Sequence, residues 1–132
     1  MKSIKLPLLC GAIYFLLMSI AHAIGVKLPG LFIYFNVPSY TYQDRIISLL
    51  AFGWAAFFFA AATTLSRTLI KSILIVGFFA LAMLTFINLS TDFISMSEKI
   101  NPEWFHVEVL ILFIYSIWLM LCYIRLKKNK DL

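Results

Sequence analysis

Charge is scarce in this chain. Only 13% of its 132 residues are charged, and the six acids are outnumbered by eleven bases. A soluble domain needs a charged, solvated surface. A chain this small with 63% apolar residues and a mean hydropathy of +0.96 cannot hide that much apolar surface in its own core. The excess has to face lipid. Cysteine is scarce too, and the pair present implies no disulfide framework. Cys10 and Cys122 fall near the ends of the first and last apolar segments, on the side assigned below to the reducing cytoplasm. There they read as small buried apolar residues. The sequence has no internal repeat, Gly-rich phosphate loop, C-x-x-C, H-E-x-x-H or G-x-S-x-G. Nor do aromatic and basic residues interleave in the way nucleic-acid binding uses, so the net charge of +5 points to no nucleic-acid partner.

What the chain does have is four apolar runs of spanning length, about 20 residues each. They cover residues 6–25, 46–65, 70–89 and 106–125. The predicted fold class is all-α: an integral membrane four-helix bundle, one transmembrane domain over residues 1–132. Basic residues concentrate at one set of helix ends. Lys2 and Lys5 precede the first span, Arg67 and Lys71 lie between the second and third, and Arg125, Lys127, Lys128 and Lys130 follow the fourth. The other connections mix Lys27, Arg45 and Lys99 with Asp44, Asp92, Glu98 and Glu103. This positive-inside pattern predicts an N-in/C-in, multi-pass protein of the cytoplasmic (inner) membrane. The basic tail also suits contact with the anionic headgroups of membrane lipids. Residues 1–25 share features with a signal peptide, including Ala21-His22-Ala23 as a cleavage-like site, but the 20-residue apolar run favours a retained helix.

The longest connection, residues 26–45, is an aromatic outer loop between helices one and two. Pro29-Gly30 and Pro38 signal turns, and residues 31–35 between them are too apolar for a solvated loop and too few to span. It is expected to lie in the outer headgroup zone or to fold over the bundle, with Tyr34, Tyr40 and Tyr42 in an interfacial belt. The seven residues 63–69 form a short turn that makes helices two and three antiparallel neighbours. Small and polar residues fall on single helix faces: Gly11, Phe15, Ser19 and His22 in the first helix, and Asp44, Ser48, Ala51, Ala55 and Ala62 in the second. Such faces admit close helix contact. Ala56 and Ala60 form another small pair, suited to a homo-oligomer or a larger membrane-protein partner.

The last helix begins with the strongest local signal. Asn101 can cap, Pro102 suits the first helical position, and Glu103 complements the helix dipole. Glu103 and His106 share a face. Glu108 lies roughly 200° around the helix from His106, with Tyr115 one heptad below it. The candidate ligand-binding or proton-relay residues are His22, Asp44, Asn88, Asp92, Glu103, His106 and Glu108, all at the outer helix ends. If the polar stripes face inward they form one polar pocket at the outer leaflet. The predicted function is that of an accessory or binding subunit with such a pocket. The alternatives are a membrane enzyme on an amphiphilic substrate, using a His/Glu site with His22, Glu103 and His106 as metal ligands, or a small proton-coupled transporter in which Glu108 and histidine pass protons. No particular cofactor is indicated.

Overall fold

A computed structural model describes residues 2–26, 40–96 and 100–128. Four long helices dominate: α1 (Lys2–Ile24), α2 (Thr41–Thr64), α3 (Arg67–Ser90) and α5 (Glu103–Lys128), with the single turn α4 (Phe93–Met96) between the last two. Each long helix is apolar enough, and at about 1.5 Å per residue long enough, to cross a membrane. The all-helical, four-span architecture expected from hydropathy is therefore present. The aromatic loop lies at 27–39 for the most part, outside the described residues, as do Glu98, Lys99 and the tail from 129.

Helix boundaries follow local chemistry more than hydropathy. The helix over the second span starts at Thr41, five residues before its apolar run, because the polar residues ahead of the run are also helical. The Gln43 side chain accepts a hydrogen bond from the Tyr40 backbone N–H at 3.4 Å and closes the first turn. Between α2 and α3 only Leu65 and Ser66 are non-helical. Leu65 adopts the left-handed conformation (φ 50°, ψ 33°), a strained position for a branched side chain, and its N–H still reaches the Ala61 carbonyl. Ser66 then caps α3, accepting from the Leu69 N–H. The last helix starts as its sequence dictates: Asn101 Oδ1 accepts from the Glu103 N–H at 3.0 Å.

The four long helices form a ring in which α1 packs along α2, α2 meets α3, α3 packs on α5, and α5 returns to α1; the diagonal pairs do not meet at the backbone. The two ends of this bundle differ. The end holding the start of α1, the α2–α3 turn and the end of α5 carries a continuous apolar core of Ile4, Leu8, Phe58, Ala61, Ala62, Ile70, Ile73, Leu119, Cys122 and Leu126. At the far end the helices are held as pairs. The α1–α2 seam there is made of small residues, with Ala51 and Ala55 of α2 buried as their spacing predicts, as is Ala62 in the apolar core at the other end. The α3–α5 pair is closed by a separate small cluster, Phe93, Ile100 and Phe105, with the Phe93 and Phe105 rings 4.4 Å apart. A bundle tight at one end and paired at the other leaves space in the middle, and the candidate site lies there.

Candidate functional site

A cavity of about 560 Å³ lies between the two helix pairs and touches all four long helices. Its volume falls within the range of small-molecule sites, roughly 300–1,000 Å³. From α5 it takes Glu108, Ile111, Leu112, Tyr115 and Ser116, and from α3 it takes Ile73, Val76, Gly77, Ala80, Leu81 and Leu84. Both sets repeat at three and four residues, so each is a single inward stripe. The facing walls are Cys10, Gly11, Tyr14 and Phe15 of α1 and Trp54 and Phe58 of α2.

Two glycines explain where the space begins and ends. A Cβ on Gly11 would stand 2.5 Å from the Phe58 ring and 2.5 Å from Tyr115 Oη. The missing side chain thus lets α1 close on both rings, and the cavity is sealed on that side. A Cβ on Gly77 would meet nothing nearer than Ser116 Oγ at 4.0 Å. There the missing side chain leaves room instead. The sealed side is held by aromatic contacts: Phe15 stacks on Trp54 (6.0 Å) and lies 5.4 Å from Phe58, which lies 6.5 Å from Tyr115. The Tyr115 hydroxyl donates to the Pro7 carbonyl at 2.7 Å and pins α5 to α1.

The cavity wall is apolar and aromatic with one ionisable acid, Glu108. Glu108 begins the second turn of α5, about 8 Å along the helix from Glu103. It is half-buried, its Oε2 is out of contact with solvent, and Tyr14 stands close enough for the two groups to interact electrostatically. A carboxylate at this depth has to be protonated, paired or watered, which makes it the chemically consequential group of the cavity.

The other candidates named from sequence fall elsewhere. His22 Nδ1 lies 3.2 Å from Asp44 Oδ1, joining the far ends of α1 and α2, and the hydroxyls of Ser19 and Ser48 meet at 3.4 Å about one turn closer to the core. Asn88 is buried in the α3–α5 seam, where its Nδ2 donates to the Phe105 carbonyl at 3.2 Å; its Oδ1 has no hydrogen-bond partner among the described residues. Asp92 Oδ1 accepts from the Ser95 N–H in the turn that starts α4. Glu103 is exposed. His106 is exposed on the outside of the α3–α5 pair, in a shallow groove with Thr85, Val109 and Phe113. The structure thus brings His22 to Asp44 and places Glu108 apart from both, in the cavity. Among the described residues no three His, Cys, Asp or Glu side chains are spaced to hold a metal ion, His22, Glu103 and His106 included.

Tyr14, Trp54 and Gly77 are cavity residues that sequence reasoning did not single out as site residues. A signal for Tyr14 was present: it is a polar group in the middle of an apolar span, three residues after Gly11. Gly77 reads from sequence as a packing residue with Ala80, and Trp54 carries no signal, because bulk looks the same on a lipid-facing and an inward face. Glu108 and Tyr115 were legible as a heptad pair, and both line the cavity. Comparison with family models, with curated proteins and with solved structures finds nothing that matches this chain.

Proposed function

We propose that this is a small multi-pass membrane protein that binds an amphiphilic molecule in the cavity between its four long helices. The observation that carries this is the cavity itself: about 560 Å³ of largely apolar space at the depth of the spans, with a carboxyl group in its wall. The space is a cleft that opens between the helices, since Cys10, Val76, Ala80 and Ile111 of its wall are exposed, so an amphiphile can enter it from the surrounding lipid. An apolar occupant gains dispersion contacts from that wall, and Glu108 gives the wall a polar end suited to an amphiphile. Binding, rather than catalysis, is favoured by the wall, which offers no histidine, no serine–histidine pair and no metal-spaced cluster among its residues. Assembly as an accessory subunit beside a larger membrane protein is compatible with this role. The orientation follows from charge placement: both termini in the cytoplasm, and Glu108 in the outer half of the membrane.

The test is native mass spectrometry of the protein released from its own membrane in mild detergent, beside the Gly77→Leu variant. Gly77 has room for a Cβ and lies in the cavity wall, so a leucine side chain there takes up part of the cavity. The wild-type protein is expected to carry a bound amphiphile at near-stoichiometric occupancy, and Gly77→Leu to lose it while keeping its unfolding midpoint. Equal occupancy in both proteins, or none in either, would refute the proposal.

A further inference from the structure

We infer, on the reading of the cavity as a binding site, that its occupant is a neutral, planar lipophile with a conjugated carbonyl group, whose oxygen accepts a hydrogen bond from the Ser116 hydroxyl.

Ser116 carries this. It lies in the cavity wall, is only 8% exposed, and makes no hydrogen bond among the described residues. A hydroxyl on a membrane helix ordinarily rests on a carbonyl of its own helix three or four residues earlier. Thr85 of α3 does so, donating to the Leu81 carbonyl at 2.8 Å, and Thr64 of α2 donates to the Ala60 carbonyl at 2.7 Å. Ser116 does not, and its one hydrogen is left for something else inside the bundle. Gly77 keeps the space before it clear. A Cβ on Gly77 would stand 4.0 Å from Ser116 Oγ, with nothing nearer. Val76 and Ala80 beside Gly77 are exposed, so this part of the cleft is reached from lipid.

Depth and hydrogen count select the partner. Ser116 and Gly77 are near the middle of α5 and α3, and hence near the middle of a hydrocarbon core about 30 Å thick. A glycerolipid at its ordinary depth offers only hydrocarbon there, because its ester groups lie at the edge of the core. The occupant therefore carries its polar group inward. A charged group is the most costly to bring to this depth. A ligand alcohol adds a second O–H hydrogen that needs its own acceptor in a wall made chiefly of carbon. A carbonyl brings acceptors and no hydrogen, so the Ser116 donor leaves nothing unpaired. Across the cavity stand Phe15, Trp54 and Phe58, with Phe15 stacked on Trp54 at 6.0 Å. Ring faces attract a planar conjugated body beyond its area alone. Such a body also loses less conformational freedom on binding than a flexible chain does.

Two pairs of near-isosteres isolate the carbonyl: fluorenone against fluorene, and duroquinone against durene. Binding of each is measured by equilibrium dialysis on the full chain in phosphatidylglycerol nanodiscs, with empty nanodiscs subtracted. The wild-type protein is expected to bind the carbonyl compound saturably and about three- to tenfold more tightly than its hydrocarbon, the size of one neutral hydrogen bond. Ser116→Ala should erase that preference and leave hydrocarbon binding unchanged, which also shows that the variant is folded. Gly77→Leu should weaken both members of a pair. A preference in the duroquinone pair marks a quinone as the occupant, and one confined to the fluorenone pair marks an aromatic ketone.

Equal binding of each hydrocarbon and its carbonyl counterpart would overturn the inference, as would no binding of any of the four, or a preference that survives intact in Ser116→Ala. The comparison within each pair needs no variant, so a folding defect in Ser116→Ala cannot rescue it. If the native protein carries an amphiphile that Gly77→Leu loses, yet neither pair shows a preference, the cavity remains a binding site and only its preference for a carbonyl is overturned.

Discussion

Gly11 and Gly77 are the same residue type in adjoining parts of one cavity, and they oppose each other in consequence. At Gly11 the neighbours are already in place: the Phe58 ring is fixed between Phe15 and Tyr115, and Tyr115 is fixed by its bond to the Pro7 carbonyl. A methyl group there has to move an aromatic stack, so Gly11→Ala should cost about 1–3 kcal/mol of overpacking. The better helix propensity of alanine returns roughly 1 kcal/mol of that. The net loss should appear as a lower midpoint in detergent unfolding, with ligand occupancy reduced because Tyr115 and Phe58 shift into the cavity. An unchanged midpoint would show that the stack is looser than its spacing implies. The same pair of residues shows what sequence alone could and could not tell. Gly11 reads as a packing glycine because Phe15, Ser19 and His22 share its face. Gly77 reads from sequence as a packing residue together with Ala80, whereas the structure leaves room at it, opposite Ser116 of α5. Glu108 was legible as an ionisable group needing a partner, but its sequence neighbours Glu103 and His106 drew it into a cluster that the helix geometry divides between different faces.

At the scale of elements the bundle is two helix pairs joined by few specific contacts. The α1–α2 seam is long and made of small residues, with His22–Asp44 and Ser19–Ser48 as polar contacts along it. The α3–α5 seam has Asn88 and the Phe93–Phe105 contact. Among the described residues α5 is joined to α1 through the shared apolar core and the hydrogen bond from Tyr115 to the Pro7 carbonyl. Tyr115→Phe removes that bond and leaves the ring. Polar contacts between membrane helices average about 0.6 kcal/mol and reach about 1.7 kcal/mol. The variant should therefore unfold at modestly lower denaturant, with both helix pairs intact. A loss well above that range would mean that Tyr115 holds more than one bond's worth of the bundle together. The elements themselves were legible because each span has an uninterrupted apolar run, and the start of α5 was legible to the residue from Asn101 and Pro102. The start of α2 was not. Asp44 falls on the second helix by its spacing from Ser48 and Ala51, but the start at Thr41, where the Tyr40 N–H donates to the Gln43 side chain, has no marker among the polar residues ahead of the run.

The described spans leave most of their most apolar stretches uncovered by the chain itself. In α3 and α5 only 17% of the most apolar window is buried within the chain. Phe79, Phe86, Leu89, Leu110 and Ile114 face outward, and lipid or another protein has to cover them. With the spans fixed across a bilayer, charge decides which way they face. Lys5, Arg67, Lys71 and Arg125 stand at the tightly cored end, while Asp44, Asp92 and Glu103 stand at the paired end. The positive-inside rule counts Lys and Arg near the span ends and gives acids little weight, so the cored end should be cytoplasmic. A cysteine-free version of the protein (Cys10→Ala, Cys122→Ala) carrying a single new cysteine tests this in whole cells with an impermeant maleimide. Trp104→Cys, at the paired end and 60% exposed, should label from outside. Thr68→Cys, next to the α2–α3 turn, should label only after the membrane is opened. The opposite pattern would invert the protein. The cavity would then open toward the inner half of the membrane, and an amphiphile reaching it would enter from the cytoplasmic leaflet. The two outcomes therefore separate a site filled from outside the cell from one filled from within it, a distinction on which any transport or sensing role for this cavity turns.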